Sequence, residues 1–209
     1  MEIVYYISKS LDKVKKTCYD KSNYSEKRTI FMQNLKITGS RKNILQSEYY
    51  SVIADLLNLP EIQKLKNYQH HITTTRFQHC LNVSYYHYKI CRFFKLDANS
   101  GARAGLLHDL YFYDTKHYIK QKPAVKHCKY HPQTALHNAE KIIKLNDLER
   151  DMIYNHMWPL TPEKPKYAET YLITFVDKYC AMIEFILPQP KNFIHFFKKY
   201  RHRKLQKNY

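Results

Sequence analysis

With only three glycines in 209 residues, the chain has little room for tight turns, and this scarcity constrains its fold more than any other feature. Gly39, Gly101 and Gly105 cannot build the glycine-rich loop of a P-loop or a dinucleotide site. Any phosphate must therefore be held by basic side chains or by a metal. Apolar residues recur at helical spacing over long stretches and alternating runs are few, which favours an all-α bundle over a sheet-based fold.

The length suits one domain with extensions. Residues 1–46 form a Lys- and Tyr-rich extension of unassigned role, closing on the connector-like Gly39-Ser40-Arg41-Lys42-Asn43. Residues 47–187 form the core domain, and residues 188–209 follow the Pro188-Gln189-Pro190 break as a basic tail. Five cysteines without CxxC spacing argue against a disulfide framework or a zinc knuckle. No apolar run is long enough for a bilayer and the first residues do not resemble a secretory signal, so a cytoplasmic protein without membrane partners is expected. The net charge of +17 is spread along the chain and densest from Lys198 to Lys207, where a solvated tail is favoured over a nucleic-acid contact.

Helix signals divide the core. Ser47 caps a helix through Val52, Ile53, Leu56 and Leu57, and Pro60 opens another. Thr73, Thr74 and Thr75 offer caps for a long helix that buries Phe77, Cys80, Leu81, Ser84, Tyr88, Cys91 and Phe94. The next starts near Asn99-Ser100, buries Ala102, Leu106 and Leu110, and carries His108-Asp109 in its later turns. From Asp114 to Tyr130 periodicity fails around Pro123, predicting a basic, aromatic binding loop. His131-Pro132 opens a helix through Ala135, Ala139, Ile142 and Ile143. Another runs from Asn146-Asp147 to about Met157, stopped by Pro159, and the last spans Glu169 to Leu187.

Metal-binding side chains recur on these helices in one order: His79, His108-Asp109, His131, His156 and Asp177. Imidazole and carboxylate suit borderline divalent cations, and no other part of the chain offers comparable chemistry. Of the remaining histidines, His70, His71, His87, His117, His127, His137 and His195 are each read as structural, with His87 and His137 as substitutes if the assignment is shifted. Adjacent His108 and Asp109 point in different directions on a helix, yet both can reach one cluster where several helices meet.

The order H…HD…H…H…D, carried by TRFQHCLNVS, AGLLHDLYFYD, HPQTALHNAE, IYNHMWPL and LITFVDKYCA, resembles the HD superfamily of metal-dependent phosphohydrolases over roughly residues 47–187. The resemblance implies an all-α HD-domain bundle around a mono- or dinuclear site for divalent ions, with Fe, Mn, Mg, Co or Ni as candidates. It implies hydrolysis of a phosphate ester or anhydride, of a nucleotide or dinucleotide, by a metal-activated hydroxide. Carried over by residue, His79, His108 and Asp177 would hold one metal, His131 and His156 the other, and Asp109 would bridge both as the catalytic carboxylate.

Arg76, one turn before His79, resembles a basic residue often found there and would contact a substrate phosphate. Lys116, Lys126 and Lys178 are further phosphate candidates, and His127 is a candidate proton source for the leaving group. Phe112 stands where several nucleotide-hydrolysing branches place a lysine, and the acidic pair of alarmone hydrolases is missing there. Rival expectations are an HD-fold nucleotide sensor or RNA-binding module without turnover, and a two-iron oxygenase.

Overall fold

A computed structural model of the chain describes residues 35–187 apart from 41–43, 46, 71–73 and 122–123, with the backbone alone at 116, 120, 121 and 124–126. Cys18, the basic tail and most of the N-terminal extension lie outside the described residues. The described residues form eight α-helices, a 3-10 turn and one two-stranded hairpin, so the fold is all-α.

The Ser47 side chain accepts from Tyr50 N and starts α1 (Glu48–Leu57), and Pro60 opens α2 (Pro60–Lys64). A 3-10 turn over Leu65–Asn67 leads into β1 (Gln69–His70), which pairs antiparallel with β2 (Thr74–Thr75). Thr75 then caps α3 (Arg76–Phe93) by accepting from Gln78 N. This helix is buried almost all round, with His79, Asn82, Ser84 and His87 inside along with the expected apolar stripe. Phe94, expected in that stripe, is 59% exposed because it falls beyond the last helical turn.

Two glycines set how closely the next helix, α4 (Ala98–Leu107), lies on α3. A Cβ at Gly105 would stand 2.7 Å from Ser84 Cα, and one at Gly101 would stand 3.1 Å from His87 Nδ1. Ser84 Oγ donates to the Ala102 carbonyl at 2.6 Å across the same contact. This close approach carries the end of α4 to the first turns of α3, where the histidines meet. The helix stops earlier than its spacing suggests: His108 is its C-cap and Asp109 lies beyond it, although Leu110 is buried as expected.

The stretch expected as a loop is helical. Asp114 accepts from His117 N at the start of α5 (Thr115–Gln121), and α6 (Ala124–Ile142) follows directly. Pro132 therefore sits inside α6 and does not open it. The N–H that Pro132 lacks would have met the Cys128 carbonyl; on either side of it, His131 Nδ1 and Thr134 Oγ1 donate to the carbonyls of His127 and Tyr130. Helix α7 (Asp147–Asn155) opens on a capping box in which Asn146 and Glu149 bond each other's backbone N–H at 2.7 and 2.9 Å. Helix α8 (Ala168–Ile186) closes the described fold.

Ile37 and Ile44 are buried, and Thr38 N donates to Asn82 Oδ1 at 3.0 Å, which ties this stretch to α3. No described helix is long and apolar enough to cross a membrane. Cys80, Cys91, Cys128 and Cys180 are free thiols.

Candidate metal centre

Helix ends do much of the positioning. Carbonyls in the last turn of a helix lack backbone partners, and a histidine at the cap can supply one. His108 Nδ1 donates to the Gly105 carbonyl and His156 Nδ1 to the Ile153 carbonyl, both at 2.8 Å. His131, inside α6, donates Nδ1 to the His127 carbonyl at 2.9 Å. A carbonyl only accepts, so each Nδ1 carries a proton, and the neutral form of each ring presents its Nε2 as a lone pair.

Those lone pairs converge. His131 Nε2 and His156 Nε2 are 3.0 Å apart, and they lie 3.4 and 3.8 Å from Asp109 Oδ1. His108 Nε2 lies 3.7 Å from Asp177 Oδ1 and 4.0 Å from Asp109 Oδ2. Two facing acceptors repel each other, and buried His108 Nε2 and Asp109 Oδ1 have no hydrogen-bond partner among the described residues. Such burial of unsatisfied acceptors is costly, and a divalent cation satisfies all of them together. The donor set therefore fits a metal.

Three overlapping trios each place their donor atoms within 4.8 Å of one another: His79-His108-Asp177, His108-Asp109-His156 and His70-His79-Asp109. The first unites three side chains assigned to one ion by sequence. His131 joins the second through its contacts to His156 and Asp109.

The electrostatics differ across the centre. Burial opposes charge on His79, but hydrogen bonds from Nε2 to Asp177 (2.9 Å) and from Nδ1 to Glu184 (3.1 and 3.2 Å) raise its pKa to about 10. Burial and the Asp109 and Asp177 carboxylates likewise oppose each other at His108, and the carboxylates win, holding it well above its usual value. Burial pushes His156 down to about 3, with His108 and His131 adding to the effect. His131 is lowered chiefly by burial. Burial would raise Asp109, yet His108, His131, His156 and His70 hold it far below the ordinary carboxylate range.

Beside the donors lies a cleft of about 490 Å³, within the range of small-molecule sites. Asp109, His131, His156 and Asp177 line it together with His70, Tyr111, His127, Leu160 and Lys178. Lys178 Nζ donates to the Thr174 carbonyl at the rim, and the side chains of Lys116 and Lys126 lie outside the described set.

Arg76 is not placed to meet a phosphate. It is fully buried, donating to the carbonyls of Tyr111 (2.6 Å) and Tyr113 (3.1 Å) and to Thr115 Oγ1, with its guanidinium over the Tyr111 ring. It pins the turn that follows Asp109. His127, the candidate proton source, lines the cleft, and burial and neighbouring His131 lower its pKa to about 4. Of the two substitutes, His87 lies against the Gly101 and Glu169 carbonyls outside the donor trios, and His137 is exposed.

Two participants escaped the sequence. Glu184 is buried, accepts from Asn82 Nδ2 at 2.7 Å and fixes the outer edge of His79. Its signal was available, because it follows Asp177 by about two helical turns and so shares its face. His70, on the hairpin, has no periodic context that would single it out.

An all-α bundle thus gathers histidines and aspartates from five helices into one candidate site for divalent metal. The family model for the HD domain matches residues 76–182, more than half of the chain, and the protein belongs to that family within the superfamily of metal-dependent phosphohydrolases. No curated protein and no solved structure matches it.

Proposed function

We propose that the chain hydrolyses a phosphate ester or anhydride, of a nucleotide or dinucleotide, at a centre holding divalent metal through His79, His108, Asp109, His131, His156 and Asp177. The convergence of three backbone-anchored imidazoles on the unsatisfied Asp109 carboxylate carries this reading. A bound divalent ion would supply acidification of water toward a pKa of about 7 and positive charge opposite phosphoryl oxygens. The protein's own contribution is preorganisation. The Nδ1 bonds lock ring orientation, Glu184 holds His79, and Arg76 fixes the backbone that presents Asp109.

Asp109, held ionised among four histidines, is the carboxylate on which both halves of the centre depend. Lys178 at the cleft rim is assigned to the substrate phosphate, and Lys116 remains a candidate from the sequence alone. The cleft's size and the Tyr113, Tyr118 and Tyr130 rings clustered around His127 beside it support a substrate with a flat aromatic group, such as a nucleobase.

A panel of nucleotides and phosphate esters offered to metal-loaded protein tests this. Phosphate release that disappears in folded Asp109→Ala supports hydrolysis. Tight nucleotide binding without turnover makes the protein a sensor, and turnover that requires oxygen makes it an oxygenase.

A further inference from the structure

His70 lies ahead of the stretch covered by the family model and outside the donor order described for it. The hairpin fixes its place. Register sets His70 opposite Thr74, and Arg76 N donates to the Tyr68 carbonyl at 2.8 Å, binding the hairpin to the start of α3. The His70 ring consequently lies on the His79 ring, with centroids 3.9 Å apart and planes 25° apart, while its side chain is 16% exposed and lines the cleft.

Any flat side chain could stack on His79. An imidazole adds a ring nitrogen, and that nitrogen falls within 4.8 Å of the donor atoms of both His79 and Asp109. Two ligands bound to one cation at about 2.1 Å each can stand no more than roughly 4.2 Å apart. His70 Nδ1 and Asp109 Oδ2 are separated by 3.9 Å, inside that reach.

We propose that His70 is an additional imidazole ligand on the cleft-facing side of the metal centre, and that a phosphate group entering the cleft competes with it for that side. The inference rests on the divalent-metal assignment above. It gives this chain a ligand carried on a short hairpin, beside a set otherwise held by helices. The proposed exchange swaps one donor for another and alters no oxidation state.

The test is Co²⁺ titration of the metal-free, full-length protein, followed by calorimetry and visible absorption, in wild type, His70→Ala and His70→Phe. His70→Phe keeps a ring against His79 but removes the nitrogen, and far-UV circular dichroism of the metal-free forms checks folding. Both variants are expected to bind Co²⁺ at least about tenfold more weakly and to shift its absorption bands alike. Inorganic phosphate should perturb the spectrum of either variant at lower concentration than that of wild type. If His70→Phe matches wild type in affinity and spectrum, His70 only packs and the proposal is overturned. Wild type binding Co²⁺ beside unchanged variants refutes His70 alone, whereas wild type failing to bind Co²⁺ refutes the metal centre with it.

Discussion

The two sides of the candidate centre solve the same problem in opposite ways. On one side His79 is clamped between the Asp177 and Glu184 carboxylates, and the surplus negative charge draws a proton onto the ring. On the other, His131 and His156 are anchored by backbone carbonyls, kept neutral by burial, and left with facing lone pairs. The first side tolerates the absence of metal by holding a proton in its place. The second has no such substitute, and a cation between its rings would satisfy both lone pairs. Asp109 joins the two, lying near His70 and His108 through one oxygen and His131 and His156 through the other.

Removing that joint should give the largest effect. Asp109→Ala is expected to lower phosphate release on the order of a thousandfold while circular dichroism stays native. Retained activity would break the comparison at its centre. Side-specific variants sharpen it. Glu184→Gln should weaken metal binding by about 10- to 100-fold at the His79 side, and His156→Ala should instead remove the ion bound at the other. Calorimetric stoichiometry separates the two outcomes; identical losses in both variants would mean that the sides are not distinct.

Both sides also require the close approach of α3 and α4. Gly105→Ala places a methyl against Ser84 backbone and should destabilise the fold by about 1–3 kcal/mol, measured by denaturant unfolding. An unchanged midpoint would show that the helices can separate freely.

The gentlest probe is pH. The pKa of His79 is raised from 6.5 to about 10 on folding, so its contribution is complete below about 6.5 and is lost as pH rises through 10. The melting temperature of metal-free protein should therefore fall across this window, and saturating Mn²⁺ should flatten the slope by replacing the proton. A flat metal-free profile would contradict the carboxylate clamp.

Where local chemistry decides structure, the sequence is easy to read. Ser47, Thr75 and Asn146 start their helices as expected because capping needs only neighbouring residues. The order of the metal-binding side chains is legible for a related reason, since their residue types are chemically restrictive.

What misleads is context. Pro123 and Pro132 suggest a loop and a helix start, but Asp114 capping and the ring contacts among Tyr113, Tyr118, Tyr130 and His127 accompany helices there. Arg76 carries a charge that reads as exposed, yet its partners are mostly backbone carbonyls, which leave no trace in residue identity. His70 sits on an isolated hairpin and joins no pattern until the chain is folded, whereas Glu184 shares the Asp177 face and was hidden only by its apolar neighbours. Gly101 and Gly105 exclude phosphate loops in the sequence, while their positive role at the α3–α4 contact needs the partner helix to be seen.

Anomalous diffraction from crystals of Mn²⁺-loaded protein would examine the centre most directly. The account predicts density bounded by His79, His108 and Asp177 on one side and by His131, His156 and Asp109 on the other. Manganese bound elsewhere, or an absence of anomalous signal among these side chains at saturating metal, would contradict it.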